Sequence, residues 1–135
     1  MPGSFFDTNV LLYVASAQTA KADKAEKLIG EGGTVSVQVL NEIANVARRK
    51  MGLSWTETRA LLATVRGLLR VIDITVDIHE TGLDLAERHQ LSIYDAMIAA
   101  AALSVDCDTL WSEDMQHGLK IESKLRVVNP LRKGR

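Results

Sequence analysis

Four acidic residues, Asp7, Glu42, Asp95 and Asp114, have the type and setting to do chemistry, because each sits beside a segment that otherwise reads as buried core. Their contexts are Phe5-Phe6-Asp7-Thr8-Asn9, Leu40-Asn41-Glu42-Ile43, Ile93-Tyr94-Asp95-Ala96 and Trp111-Ser112-Glu113-Asp114. An isolated carboxylate in apolar surroundings carries a desolvation cost of roughly several kcal/mol, so it is exposed, paired, protonated or bound to a cation. A fold that gathered all four would favour the cation.

Each acid also has a plainer role. Asp7 falls where a core strand meets a helix, and Asp is a favoured N-cap that could bond the amides of Asn9 or Val10. Against this, the carboxyl ends of parallel strands are where open α/β sheets bind ligands. Glu42 lies off the Leu40, Ile43, Ala47 stripe and shares a face with Asn45 and Arg49, as a solvated glutamate would. Its i+3 and i+4 positions, Asn45 and Val46, provide no cation for a local ion pair. Asp95 completes a capping-box pattern with Ser92, yet the following run from Ala96 to Leu103 has no polar face, and a helix apolar all round is buried. Asp114 follows a candidate strand, with Glu113 beside it as either the exposed partner or the ligand.

Other chemistries find little support. The spacing from 7 to 114 is too wide for a local calcium loop, and no His/Cys cluster suggests zinc. His79, His89 and His117 lack metalloprotease spacing and read as surface groups; a paired-histidine nuclease would need two of them to converge. Neither Gly-x-Ser-x-Gly nor a P-loop occurs.

The elements that must position the acids alternate between strand and helix. Ser4-Phe5-Phe6 reads as a first strand, Thr34 to Val37 as a second, Val71 to Ile74 as a third, with Thr109 to Trp111 and Arg126 to Val128 as two more. Helical patterns cover Val10 to Val14, Lys21 to Glu31, Leu40 to Met51, a segment capped by Ser54 and Glu57, Val76 to His89 with Gly82 weakening it, and Ser92 to Ser104. The alternation predicts one α/β domain, with helices flanking a central, mainly parallel sheet of about five strands. No internal repeat, low-complexity segment or linker divides the 135 residues, a length that suits one domain with a sizeable core. We expect the domain over 1–131 and a frayed basic tail over 132–135.

Sixteen Lys and Arg against seventeen Asp and Glu give a net charge of −1, so a nucleic-acid partner would require local basic patches or bound metal. Arg48-Arg49-Lys50 and the tail residues Arg132, Lys133 and Arg135 are candidate phosphate contacts, each with a solvated face as the plainer reading. Aromatic residues are scarce, and Trp111 and Tyr94 read as packing groups rather than base-stacking ones. Cys107 is the only cysteine, so no intrachain disulfide forms, which fits a reducing cytosol, and its apolar setting reads as packing. The amino terminus lacks a basic targeting segment and the longest apolar stretch falls short of the ~18 to 20 residues of a membrane helix. The expected location is the cytoplasm, without a membrane partner.

These segments resemble the PIN-domain nucleases, in particular the small endoribonuclease toxins of the VapC type. The resemblance rests on Phe-Phe-Asp7-Thr8-Asn9-Val-Leu-Leu-Tyr, on Tyr94-Asp95-Ala96-Met-Ile-Ala-Ala-Ala and on Leu110-Trp-Ser112-Glu-Asp114-Met, in the family's order. It implies that Asp7, Glu42, Asp95 and Asp114 form a Mg2+ or Mn2+ site, with Thr8 and Asn9 positioning by hydrogen bonds and Ser112 in a supporting polar role. It also implies an RNA substrate, a cognate antitoxin that inserts a segment near the metal, and a homodimer. The RNA target, the metal count and a metal role for Glu113 are not legible.

The chemistry expected of such a site follows from electrostatics. Carboxylates gathered at about 4 Å repel by roughly 4 kcal/mol per pair at an effective dielectric of 20, which a divalent cation relieves. Hard oxygen ligands suit Mg2+ or Mn2+, which lowers the pKa of a coordinated water for in-line attack on a phosphodiester. Two alternatives remain open. One is a non-catalytic metal- or RNA-binding module with the same fold. The other is a phospho-acceptor α/β hydrolase using Asp7 as nucleophile, although Asn9 replaces the second aspartate that enzymes of the haloacid-dehalogenase type need.

Overall fold

A computed structural model describes residues 3–131, so the basic tail expected over 132–135, with Arg132, Lys133 and Arg135, lies outside the described residues. The order of elements is β1 (Ser4–Phe6), α1 (Thr8–Leu12) running into a 3-10 turn (Tyr13–Ala15), α2 (Thr19–Gly30), β2 (Thr34–Ser36), α3 (Val37–Arg49) and α4 (Trp55–Leu68). It continues with β3 (Arg70–Ile72), α5 (Val76–His89), α6 (Ile93–Ser104), β4 (Thr109–Trp111), β5 (Lys120–Ile121) and β6 (Leu125–Val128).

The strands form one sheet in the order β3-β2-β1-β4-β6-β5. All neighbours are parallel except β5 and β6, which pair antiparallel. The mainly parallel α/β sheet expected from the sequence is therefore present, with one strand more. β5 is two residues long, and the turn after it places Glu122 and Ser123 at φ 55° and 58° without a glycine, so neither strand length nor turn chemistry signalled it. Two boundaries also move. Val37 opens α3 instead of closing β2, because Ser36 accepts the Val39 N–H as its N-cap. The third strand begins at Arg70 and ends at Ile72.

Phe5, Phe6, Val35, Leu110 and Val127 are wholly buried in the sheet, and Val10, Leu11, Ile43, Leu85 and Ile98 close over it from the helices. Ala96 to Ala102 is buried throughout, as an all-apolar helix requires. Gly82, which weakened the reading of α5, sits where an added Cβ would come within 2.6 Å of Met97 Sδ, so its lack of a side chain lets α5 and α6 pack closely. Cys107 is buried, which pushes its thiol up to about 11, in keeping with a packing residue. Among the described residues no helix is long and apolar enough to cross a membrane.

Chain order sets where the site lies. From β1 the sheet grows one way through β2 to β3 and the other way through β4 to β6, so the direction of winding reverses between β1 and β4. Such a switch point opens a crevice at the carboxyl ends of the two strands. The packing of β1 against β2 depends on Gly33 at φ +154°, where a Cβ would meet Phe6 Cε2 at 2.6 Å and the Ser4 carbonyl at 2.8 Å. Gly33→Ala is expected to cost about 1 to 3 kcal/mol in urea denaturation through this overpacking. A cost within experimental error would mean that β1 yields easily.

Candidate active site

Asp7 is the first residue beyond β1, and its N–H donates to the Trp111 carbonyl at 3.0 Å, which seats it at the switch point. Its carboxylate is 4% exposed and both oxygens are engaged. Oδ1 accepts the Thr8 N–H at 2.7 Å, capping α1 at its first residue instead of the expected Asn9 or Val10, and Oδ2 accepts the Ser112 hydroxyl at 2.7 Å. The capping and site readings therefore coexist. Burial raises the Asp7 carboxyl from 3.8 to about 6 against the opposing bonds from Ser112 and Thr8, with the charges of Asp95 and Asp114 adding to the rise.

Glu42 is half-buried rather than a solvated surface residue. Thr8 Oγ1 donates to its Oε1 at 2.5 Å, and Gln38 Nε2 donates to its Oε2 at 2.9 Å. The same Gln38 nitrogen reaches the Tyr94 carbonyl at 3.1 Å, tying α3 to the first turn of α6. Gln38 is one helical turn before Glu42, so the partner lies at i−4 and not at i+3 or i+4.

On α6, Ser92 Oγ accepts the Asp95 N–H at 3.1 Å as the N-cap, while the Asp95 carboxylate lines the cleft. Partial burial raises its pKa, a bond with Ser92 opposes the rise, and the charges of Asp114 and Glu42 reinforce it. Asp114 is carried by a heavily pinned loop. Ser112 N–H donates to Val128 O at 3.0 Å, Glu113 N–H to Asn9 Oδ1 at 3.1 Å, and Met115 N–H to Ser112 Oγ at 3.3 Å. Glu113 also accepts the Tyr13 hydroxyl, so its carboxylate is committed to the 3-10 turn, and Asp114 is the acid of this pair that lines the cleft.

All four acids thus border one cleft of 380 Å³, with Thr8 and Asn9 in its wall. Asn9 Nδ2 is buried without a hydrogen-bond partner beside it. Ser112 stands behind Asp7. Four further residues line the cleft without having been expected there: Leu12, Asn45, Val46 and Tyr94, the last 70% accessible and not packed as expected. Lys50, singled out only as part of a basic run, is the one base in the lining. Trp111 does pack, with Nε1 donating to Ser4 Oγ at 3.1 Å. A larger hollow of 560 Å³ between α3 and α4 has Asp73 as its only acid. His117 Nδ1 accepts the Asn129 N–H at 3.0 Å and His89 lies 3.4 Å from Glu122, and no histidine lines the acidic cleft.

Among the described residues no group of three or more Asp, Glu, His or Cys side chains is gathered closely enough to hold a metal ion as it stands. The acids border the cleft without meeting in its centre. Their oxygen-only donor set, with two raised carboxyl pKa values, nevertheless fits a hydrated hard cation better than a zinc-like ion.

Burial of Asp7 has a stability consequence of definite sign. Its folded pKa lies above the unfolded value, so the folded state binds more protons and stability falls as pH rises from about 4 to 6. The full cost, roughly 3 kcal/mol from the shift, is present at pH 7.5 and absent at pH 4. Asp7→Asn should therefore stabilise the cation-free protein by about 1 to 3 kcal/mol at pH 7.5 and give no gain at pH 4, by urea denaturation at the two pH values; equal effects at both would refute the burial account. Ser112→Ala, which removes the strongest bond to the ionised form, should move the Asp7 titration followed by carboxyl-carbon NMR upward from about 6.

Residues 4–118 match the family model for the PIN domain. No curated protein sequence matches the chain. Similar solved structures include VapC20 of Mycobacterium tuberculosis, a Sarcin-Ricin loop cleaving toxin, with a TM-score of 0.67 and 23% identity over 82% of this chain and 91% of that one. A toxin-antitoxin complex from Klebsiella pneumoniae gives 0.73 and 21% over 94% and 97%. VapBC2 from Rickettsia felis, bound to a DNA fragment from its promoter, gives 0.67 and 19% over 92% and 96%. At these identities the structural likeness is one of fold, whereas the sequence match spans most of the chain and includes Asp7, Glu42, Asp95 and Asp114: the chain belongs to the PIN domain family.

Proposed function

We propose that this protein is an endoribonuclease that uses Mg2+ or Mn2+ to hydrolyse RNA phosphodiester bonds, and that it acts as the toxin of a toxin-antitoxin pair. The observation that carries the reading is the convergence of four acids, from residues 7 to 114, on one cleft at the switch point of the sheet. Toxin-antitoxin complexes among the solved structures of this fold support the antitoxin partner, and the homodimer belongs to the same proposal.

Asp7, Asp95 and Asp114 would hold the cation, with Glu42 binding it or orienting the attacking water. When bound, the cation would neutralise charge on a phosphate oxygen and make water a better nucleophile. The protein's own groups do the positioning. Thr8 and Gln38 each hold one oxygen of Glu42, which fixes the direction in which that carboxylate can accept a proton. Ser112 and the Thr8 amide fix Asp7, and the pinned loop delivers Asp114. Lys50, the one base in the lining, is suited to a substrate phosphate.

Water as the nucleophile leaves the RNA 2′-hydroxyl out of the reaction, so fragments should carry a 5′-phosphate and a 3′-hydroxyl. Incubation of the purified protein with total cellular RNA should give discrete fragments with Mg2+ or Mn2+, none with chelator, and at least about 100-fold less with Asp95→Asn, in line with loss of a charge that stabilises the transition state. Equal cleavage by the variant would reject the site, and cyclic phosphate ends would reject the chemistry.

A further inference from the structure

Trp55 is an oddity in a chain with two tryptophans and two tyrosines, because 60% of it is exposed. It is nonetheless held firmly. It is the first residue of α4, and the capping box beneath it is complete: Glu57 N–H donates to Ser54 Oγ at 3.0 Å and Ser54 N–H to Glu57 Oε1 at 2.8 Å. The Arg48 guanidinium lies 4.4 Å from the centre of its ring and donates to the Leu53 carbonyl at 2.7 Å. Arg48 is thus committed to Trp55 and the α3–α4 turn and is not a free phosphate contact.

The surroundings are basic. Arg49 and Lys50 follow Arg48 at the end of α3, and Arg59 lies one turn beyond Trp55 on α4, all exposed. α3 also connects this patch to the cleft, since Glu42 lines it near the helix middle and Lys50 lines it at the helix end. The cleft wall from Glu42 to Lys50, eight helical residues, is about 12 Å long, room for three to four stacked nucleotides at roughly 3.4 Å each. An exposed ring backed by a cation, at a basic helix end whose Lys50 also lines the acidic cleft, is what a single-stranded nucleic acid needs for stacking a base.

We propose that Trp55, backed by Arg48 and flanked by Arg49, Lys50 and Arg59, is a base-stacking platform that holds single-stranded RNA at the α3–α4 turn, with Lys50 joining it to the acidic cleft. The assignment rests on the endoribonuclease reading and adds to it the form in which substrate is held: unpaired, with an unstacked base on the α3–α4 turn. Its selectivity is for single strands over duplex, since the ring can reach only a base that is free of its pairing partner.

The test uses the full chain carrying Asp95→Asn, with a fluorescein-labelled, mixed-sequence RNA of about 20 nucleotides and a ribose-phosphate strand of the same length without bases. Trp55→Ala should weaken RNA binding roughly 5- to 100-fold, leave the abasic strand unaffected and leave the salt dependence unchanged, whereas Arg49→Ala should lower the salt slope by about one. Trp55→Phe should recover most of the affinity, and thermal melts should show all variants folded. Unchanged RNA binding by Trp55→Ala would overturn the proposal, as would equal losses on both strands. Unchanged RNA affinity with a shift to a smaller species in gel filtration would overturn it in favour of a protein contact. Cleavage of total RNA is scored separately with Asp95 intact. A protein that cleaves but is indifferent to Trp55 keeps the nuclease reading and loses this one, and a protein that binds RNA through Trp55 without cleaving it does the reverse.

Discussion

The site is organised by the burial of a single carboxylate. Asp7 has almost no access to water, so its two oxygens must be satisfied by the protein, and the groups that satisfy them belong to α1 and to the loop after β4. One side chain thereby fixes the start of a helix and joins two segments separated by 105 residues. The arrangement leaves the carboxylate costly to ionise, and nearby Asp95 and Asp114 make it costlier. Hydrogen bonds at the back of Asp7 thus compete with charge at its front, and the balance gives the cleft an intrinsic demand for positive charge.

The other acids are held by different means. Glu42 is set by two neutral donors, Thr8 and Gln38, one from α1 and one from its own helix. Asp95 enters the cleft on the first turn of α6, whose apolar body anchors it in the core. Asp114 is in an exposed position on a loop whose neighbours, not Asp114 itself, make the restraining bonds. The site therefore combines one buried ligand candidate, Asp7, with two half-buried ones, Glu42 and Asp95, and one exposed, Asp114. Such a gradient suits a cation that must meet both protein and a hydrated substrate.

Much of this was legible in the sequence because chemistry and pattern coincide. Asp7 and Asp95 each interrupt an apolar segment, and a charge in the core is the clearest signal that a single sequence can give. Strand and helix alternation pointed to the sheet because β1, β4 and β6 are apolar where they are buried and β2 is β-branched at Thr34 and Val35. Glu42 was less legible, since its partners Thr8 and Gln38 are neutral and one is 34 positions away. Tyr94 was misread because an aromatic beside an apolar helix usually packs, whereas its place in the first turn leaves it at the cleft mouth. β5 escaped because its pairing with β6 is brief and its turn has no glycine. The role of Tyr13 in restraining Glu113 depends on a contact across 100 positions, which no local pattern reports.

The hydrogen bond from Ser112 to the Val128 carbonyl bears on when the cleft can be completed. The loop that carries Asp114 is anchored on β6, and β4 lies between β1 and β6 in the sheet. A chain still emerging from the ribosome already holds Asp7 for the Ser112 hydroxyl, yet it has no partner for the Ser112 N–H until Val128 has been made. Until then the loop that carries Asp114 lacks its bond to β6 and is held by Asp7, Asn9 and Tyr13.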